Sequence, residues 1–180
     1  MSTIYLRNTF GIEHPAIGLL NIGTEETKGN ELVKESYKLL KEKSEELGIN
    51  FVGNVEGRDA FSGKIDAIVT DGFTGNVFLK TTEGLGKFVK KTLSESLTQN
   101  LFAKICTVPC LPAINRFKKT MDYKSYGGAL FLGVKKPVVK AHGSSDEILF
   151  EFTIKQAEKF VENKAVDKMI EEFEKNSAKT

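Results

Sequence analysis

Residues 16–30 read AIGLLNIGTEETKGN and join a short apolar run to a polar loop that contains two glycines. The run 16–22 is short for a helix, follows a proline and precedes Gly23, so it predicts a fully buried strand. Beyond Gly29 the period changes, because apolar residues recur among Lys and Glu at helical spacing as far as Leu47. The stretch therefore predicts a strand, a glycine-bearing loop and a helix.

The same order of elements recurs further along the chain. FVGNV at 51–55 precedes a short polar segment, and IDAIVT at 65–70 precedes the loop DGFTGN and a long helical pattern. Short buried strands that alternate with helices predict an α/β fold with a mainly parallel sheet covered on both faces. Two further strands are predicted at 128–134 and 137–141. A last helix follows them and leads into a Lys/Glu-rich tail, which is expected to be a surface helix that frays from about Ala165. The last helix has five candidate buried residues: Leu149, Phe152, Ile154, Phe160 and Val161.

One predicted helix carries an apolar stripe that is longer than a sheet-covering helix requires. From Thr82 to about Ile105, apolar residues recur every four positions. Pro109 and Pro112 are expected to end this helix, and a second helical pattern then turns back. The sequence predicts a helical hairpin at about 82–124 that projects from the sheet and needs a partner.

The composition excludes several classes of protein. The chain has 26 Lys and Arg against 24 Asp and Glu, and the formal charge of +2 gives no global nucleic-acid footprint. Cys106 and Cys110 are too few for a secreted disulfide scaffold and make a poor zinc pattern, so we expect a reducing cytoplasm and no metal site. The sequence has no signal-peptide pattern and no run near the ~20 apolar residues that span a bilayer. At this length, residues 1–180 are expected to form one domain.

The loop after the first predicted strand carries residue types that bind phosphate. Glycines let backbone N–H groups approach an anion, a helix N-terminus adds partial positive charge, and a lysine adds a full one. The candidate residues are Gly23, Thr24, Lys28, Gly29 and Asn30. The loop matches neither the Walker motif nor G-x-G-x-x-G, so an ordinary strand-to-helix turn with an exposed lysine stays open.

A second polar loop follows a predicted strand, where ligands bind in open α/β sheets. Its candidate binding residues are Asp71, Gly72, Thr74, Gly75 and Asn76. Asn76 offers an amide donor and Thr74 a hydroxyl, whereas Asp71 could equally cap the following helix. Two such loops on neighbouring strands would face one crevice.

A third segment, AHGSSD at 141–146, follows the last predicted strand. His142 is a candidate general acid or base, and Ser144 and Ser145 are candidate substrate-binding residues. Adjacency in sequence does not make a Ser/His nucleophile pair, and no G-x-S-x-G elbow is found. The alternative is that Ser144 or Ser145 caps the last helix and His142 has a structural role.

The strings NIGTEETKGN, FVGNVEGRD, TDGFTGNVFLKTTEG, YGGALFLGV and KAHGSSD occur in one order along the chain. Together they resemble the phosphate:acyl-acyl-carrier-protein acyltransferase family, PlsX. The resemblance covers nearly all of residues 4–163, and it concerns the C-terminal part of the family's chain.

The resemblance implies a three-layer α/β/α fold like that of isopropylmalate dehydrogenases and phosphate acetyltransferases, and a homodimer. It implies transfer of a fatty acyl group from acyl carrier protein to inorganic phosphate, giving an acyl phosphate for phospholipid synthesis. Direct attack of phosphate on the thioester needs a cation and an oxyanion donor, and neither a covalent intermediate nor a cofactor.

Residue by residue, Lys28 matches the family's active-site lysine and Asn76 its active-site asparagine. The resemblance also implies that the helical hairpin forms the dimer contact and that its apolar tip touches an anionic membrane at the inner face of the plasma membrane. The alternative is that the stripe is dimer core and the tip a plain turn. The tip residues are Leu101, Phe102, Ile105, Val108 and Leu111.

The sequence departs from the family's pattern in one respect. Family members begin with a glycine-rich segment of the kind DAMGGD in a long N-terminal region, and no such segment is found in this sequence. An open sheet edge and an incomplete crevice are therefore expected. Three alternatives to a complete acyltransferase stay open: one half of a split enzyme, a non-catalytic dimerising or membrane-docking fragment, and a phosphate acetyl- or butyryltransferase acting on coenzyme A thioesters.

Overall fold

The structure is a computed structural model that describes residues 1–120, 128–141, 143 and 145–177. The chain divides into two compact units, one of Met1–Asp71 with Gly128–Thr180 and one of Gly72–Gly127. The prediction of a single domain stays a prediction, and each unit is described by itself.

The first unit is built on a three-stranded parallel sheet. Its strands are β1 (Ala16–Asn21), β2 (Asn50–Glu56) and β3 (Ala67–Val69), in the order β2-β1-β3. Helix α2 (Glu31–Lys43) connects β1 to β2. The predicted α/β fold with a parallel sheet is confirmed, whereas the three-layer arrangement stays a prediction.

β1 is the central strand and the most deeply buried one. Ile17, Leu19 and Leu20 are all buried, as expected for an apolar run with a neighbour on each side. α2 begins at Glu31 because the Asn30 side chain accepts a hydrogen bond from the Val33 N–H and caps the helix.

Two helices of the first unit pack together at the ends of the chain. Helix α1 (Ser2–Phe10), which the sequence did not predict, contacts helix α7 (Ala165–Ser177), and Arg7 pairs with Glu172 at 2.7 Å. The predicted terminal helix is confirmed, but it is not simply a surface helix. It buries Ala165, Val166 and Met169.

Helix α6 (Glu147–Glu162) is capped by Asp146, whose carboxylate accepts the Leu149 N–H at 2.9 Å. The alternative of a serine cap is therefore wrong. Leu149 and Phe160 are buried as predicted, together with Thr153. The sequence also predicted burial of three residues that the structure exposes: Phe152, Ile154 and Val161.

The two predicted strands near the C-terminal half pair with each other, but they are shorter than predicted. β4 (Ala129–Leu130) runs antiparallel to β5 (Val139–Lys140). The backbone bond from the Phe131 N–H to the Val138 carbonyl, at 2.8 Å, extends the pairing by one step.

Gly18 is required by the packing of β1 against β2. A Cβ atom at this position would overlap Val55 Cγ2 and lie 3.2 Å from Val55 Cβ. Gly18→Ala is expected to destabilise the protein by about 1–3 kcal/mol, because overpacking a buried strand displaces its neighbours. The change should cost clearly less in a Val55→Ala background. Urea unfolding of the two single variants and the double variant measures this coupling, and strictly additive losses would contradict it.

The second unit consists of helices. α3 (Gly72–Thr98) is followed by α4 (Leu101–Thr107), a 3-10 helix (Val108–Cys110) and α5 (Leu111–Thr120). A cavity of about 100 Å³ between α3 and α5 is lined by three leucines, Ile114 and Phe117 on one hand and by lysine, serine and threonine residues on the other. No helix in the described ranges is both long and apolar enough to cross a membrane.

The expected helix boundary at the prolines is wrong. The long helix starts earlier than predicted and ends at Thr98, where Asn100 caps α4 by accepting the Ala103 N–H at 2.8 Å. Pro109 lies within the 3-10 helix and Pro112 in the first turn of α5. N–H groups in a first turn have no partner within the helix, so a proline there removes no helical hydrogen bond. The projecting hairpin stays a prediction, and its predicted residues 121–124 lie outside the described residues.

Candidate active site

The three parallel strands end at the same edge of the sheet. The β1–α2 loop, residues 22–30, leaves the central strand, so it starts between the carboxyl ends of β2 and β3. This is the edge where open α/β sheets bind ligands. The predicted placement of the lysine-bearing loop at a strand end is confirmed.

The backbone of Lys28 is held on both sides of its Cα atom. Its N–H donates to the Glu25 carbonyl at 3.2 Å, and its carbonyl accepts from Asn21 Nδ2 at 3.1 Å. The other end of the Asn21 amide, Oδ1, accepts from the Ile22 N–H at 2.8 Å. The last residue of β1 therefore ties both ends of the segment that leads to Lys28.

A second asparagine connects the neighbouring strand to this loop. Asn54 lies in β2 and donates from Nδ2 to the Glu25 carbonyl at 2.9 Å. The residue is 7% exposed, and its Oδ1 atom is buried with no hydrogen-bond partner in the described part of the chain. One carbonyl thus accepts bonds from both Asn54 and Lys28.

Gly29 has a conformation and surroundings that only glycine tolerates. Its φ of 91° is in the left-handed region, and a Cβ atom would lie 2.8 Å from Asn21 Oδ1. Gly23 is close to the Lys28 side chain, since a Cβ atom at Gly23 would lie 3.2 Å from Lys28 Cγ. Thr24 is exposed.

The side chain of Lys28 is exposed, and its ammonium makes no ion pair with any described residue. Glu26, two residues away, is paired instead with Lys41 at 2.5 Å and accepts from the Tyr37 hydroxyl at 3.1 Å. The bond from Lys41, followed by that from Tyr37, lowers the pKa of Glu26. Glu26 is therefore ionised and held by α2, which leaves the Lys28 cation available to an anion.

Asn30 has a structural role that limits its predicted one. Its Oδ1 atom accepts the Val33 N–H at 3.0 Å as the cap of α2. The amide oxygen is therefore committed to the helix, and phosphate binding by Asn30 stays a prediction.

The second candidate segment is helical rather than a loop. Thr70 and Asp71 follow β3, but Gly72, Thr74, Gly75 and Asn76 lie in the first two turns of α3, which belongs to the second unit. The Asn76 side chain is exposed, and its amide makes no hydrogen bond among the described residues. Asn76 thus presents a donor within the first turns of a long helix.

The structure describes only part of the third candidate segment, residues 141–146. His142 and Ser144 lie outside the described residues, so their predicted roles stay predictions. Ser145 directly precedes Asp146, the cap of α6.

The predicted tip residues are exposed in the second unit. Basic residues flank them, namely Lys104 in α4 and Arg116, Lys118 and Lys119 in α5. Cys106 and Cys110 are free, exposed thiols. Exposure ranges from 45% to 77% across Leu101, Phe102, Ile105, Val108 and Leu111.

Sequence reasoning missed the two buried asparagines, Asn21 and Asn54. The available signal was a polar residue at the second-last position of each apolar run, 16–22 and 51–55. An asparagine near the end of a strand is also common next to ordinary turns, so the pattern alone does not identify its partner.

The sequence has clear relatives. A family model described as "Fatty acid synthesis protein" matches residues 1–168. A protein of Clostridium perfringens (strain SM101 / Type A) named "Phosphate acyltransferase" is 46% identical over 177 residues, which is 98% of this chain and 51% of the relative. Relatives of the same name from Clostridium acetobutylicum and Bacillus pumilus are 47% and 49% identical, over 97% and 90% of this chain and 51% and 48% of their own. The chain spans about half the length of the curated relatives it matches.

Proposed function

Because the chain belongs to the PlsX family of phosphate acyltransferases, we propose that it forms the phosphate-binding part of an enzyme that transfers a fatty acyl group from acyl carrier protein to inorganic phosphate. The acyl phosphate produced would serve phospholipid synthesis, in the cytoplasm.

The observation that carries this proposal is the exposed Lys28 ammonium on a backbone held at both sides, at the carboxyl edge of the sheet. Inorganic phosphate is a compact anion, and a positioned cation beside a helix N-terminus binds such an anion. The nearest acidic side chain along the loop, Glu26, is neutralised by Lys41 rather than by Lys28. Phosphate would therefore meet an ammonium that forms no ion pair among the described residues.

The proposed reaction is a direct displacement. A phosphate oxygen attacks the thioester carbonyl carbon, a C–O bond forms, and the C–S bond breaks. The carrier thiolate leaves and takes a proton from the hydrogen phosphate, so the products are acyl phosphate and the free thiol. Lys28 would hold and orient phosphate, and Asn76 would donate to the oxyanion that develops on the carbonyl. His142 is proposed only as a candidate acid or base for the leaving thiolate.

The test is formation of labelled acyl phosphate from palmitoyl-acyl carrier protein and ³²P-phosphate by the purified 180-residue chain. Turnover supports an acyltransferase, and the same assay with butyryl-coenzyme A as donor separates it from a short-chain enzyme. The hydroxamate trap for acyl phosphates provides an independent readout. Absence of both turnover and ³¹P-detected phosphate binding would contradict the proposal for this chain alone.

A second candidate, one half of a split enzyme, is favoured by apolar side chains that the fold leaves exposed. Ile22, directly after β1, is 80% exposed, and Ile148 on α6 is 67% exposed. Added polypeptide that covers these residues would recover buried area. Co-expression with the remaining half of the Clostridium perfringens relative tests this, because a stable complex that gains turnover identifies a split enzyme. A chain that associates with neither substrate nor partner supports the fragment alternative.

We further propose a homodimer formed through the helices of the second unit, and peripheral contact of the apolar tip with anionic membrane. Exposed apolar residues flanked by lysines and an arginine suit an anionic bilayer surface. Sedimentation velocity of the purified chain tests the dimer. A monomer at micromolar concentration would contradict it.

Placing a carboxylate in the tip is expected to weaken membrane binding. Phe102→Asp and Val108→Asp should each lower the partition coefficient onto phosphatidylglycerol vesicles, measured by flotation, by about tenfold. Each substitution removes an apolar side chain and adds a carboxylate that the anionic lipid repels. Ile148→Asp is the matched control, since Ile148 is similarly exposed but lies in the first unit. Unchanged flotation of both tip variants would remove the membrane contact.

A further inference from the structure

We infer that Asn21 and Asn54 are positioning residues that fix the backbone of Lys28, so that its ammonium meets phosphate in one orientation. The consequence for turnover rests on the proposed function, whereas the ordering of the loop does not. These two residues, the asparagine pair, are not proposed to touch either substrate.

Asn21 closes the loop on itself. Its amide joins the Ile22 N–H to the Lys28 carbonyl, so a segment of seven residues, 22–28, begins and ends at one buried side chain. Asn21 is only 9% exposed, and a buried amide that uses both of its ends defines a single geometry. Gly29 leaves room for this amide, because any Cβ atom there would approach Asn21 Oδ1 at 2.8 Å.

Asn54 holds the middle of the loop from the neighbouring strand. The Glu25 carbonyl that it binds at 2.9 Å is the same one that accepts the Lys28 N–H at 3.2 Å. Loss of the Asn54 donor would therefore release the Glu25 carbonyl from β2, and this carbonyl is the acceptor that fixes the Lys28 N–H.

The unsatisfied end of Asn54 argues that this contact is more than packing. Its Oδ1 atom is buried without a partner among the described residues, which is costly in a protein interior. An apolar residue of similar size would avoid that cost but could not hold the Glu25 carbonyl. What the asparagine adds at this position is the orientation of the loop.

The same strand supplies a matched control. Asn50 begins β2 and donates from Nδ2 to the His14 carbonyl, just before β1, at 3.2 Å. This bond also joins β2 to the segment around β1, but it lies at the amino edge of the sheet, away from the β1–α2 loop. Asn50→Ala therefore removes the same type of bond without touching the proposed site.

The experiment compares Asn21→Ala, Asn54→Ala and Asn50→Ala by amide hydrogen exchange. In the unmutated chain the Lys28 amide should exchange more slowly than the amides of Thr24 and Glu26. Both substitutions in the asparagine pair should speed exchange at Lys28 by about tenfold or more, whereas Asn50→Ala should leave it unchanged. Equal exchange at Lys28 in Asn54→Ala and Asn50→Ala would overturn the inference. An unprotected Lys28 amide in the unmutated chain would also overturn the inference. This measurement tests the ordering of the loop even if a variant does not fold.

Kinetics adds a readout that a purely structural role would not move. At matched unfolding midpoints, Asn54→Ala should raise KM for phosphate and lower kcat by about tenfold, with KM for the carrier thioester unchanged. Equal kinetic losses in the Asn50→Ala variant would also overturn the inference. If the unmutated chain neither binds phosphate nor turns over, the proposed function fails, and the exchange contrast still decides whether the asparagine pair orders the loop.

Discussion

Lys28→Ala is expected to lower kcat/KM for acyl-phosphate formation by at least about 100-fold. The structure leaves this ammonium without an ion pair among the described residues, and no other lysine lies in the β1–α2 loop. Loss of one preorganised electrostatic partner costs about 2.7–4 kcal/mol of transition-state stabilisation. The measurement is the initial rate with ³²P-phosphate across a range of phosphate concentrations, together with phosphate affinity by ³¹P line broadening.

The matched control is Lys34→Ala, since Lys34 is an exposed lysine on α2 six residues further along the chain. It changes the net charge equally but leaves the loop intact. Lys28→Arg should recover only part of the activity, because a planar guanidinium presents its donors differently from a compact ammonium. A loss below about fivefold in Lys28→Ala, or an equal loss in Lys34→Ala, would remove Lys28 from the mechanism.

The sheet was predictable from the sequence because its signals are local. The run 16–22 is apolar and bounded by a proline and a glycine, and the structure buries residues 17–21 of it in the central strand β1. Periodicity likewise located α2 and α6. Helix α1 escaped prediction because its stability comes from distant contacts, with Phe160 of α6 beside Tyr5 and Glu172 of α7 beside Arg7.

Helix boundaries were less predictable, because the effect of a proline depends on its position in the helix. Proline breaks a helix when it lies in the interior but is tolerated in the first turn, and Pro112 lies in the first turn of α5. Asn100 is the residue that separates α3 from α4, by capping the latter. In the same way, Asp146 rather than a serine caps α6, although aspartate and serine are both good caps.

In the candidate site, too, local features were predictable from the sequence and tertiary contacts were not. The position of Lys28 after a buried strand follows from sequence, since parallel strands place their carboxyl ends at one edge. The hydrogen bonds that fix it do not, because Asn54 reaches a carbonyl 29 residues away. The pairing of Glu26 with Lys41, 15 residues apart, is also a tertiary contact. Residues that hold a site are therefore harder to predict than residues that form it.

Asn76→Ala is expected to lower turnover about 100- to 1,000-fold if Asn76 donates to the developing oxyanion. The substitution should not destabilise α3, because Asn76 is exposed and alanine is the better helix former. Loss of activity would then reflect the missing amide rather than unfolding. Asn115→Ala is the matched control, since Asn115 is an exposed asparagine in α5 of the same unit. A loss in Asn76→Ala below about fivefold would exclude the donor role.

Asn76→Asp separates a donor from a polar residue that merely fills space. Aspartate has the same shape, and a negative charge near the start of α3 favours the helix dipole, so the protein should fold normally. The carboxylate accepts hydrogen bonds but cannot donate one when ionised, and it repels both phosphate and an oxyanion. Turnover should therefore fall at least as far as in Asn76→Ala, in a helix that is no less stable. An Asn76→Asp variant that keeps most of the activity would mean that the amide at this position does not face developing negative charge.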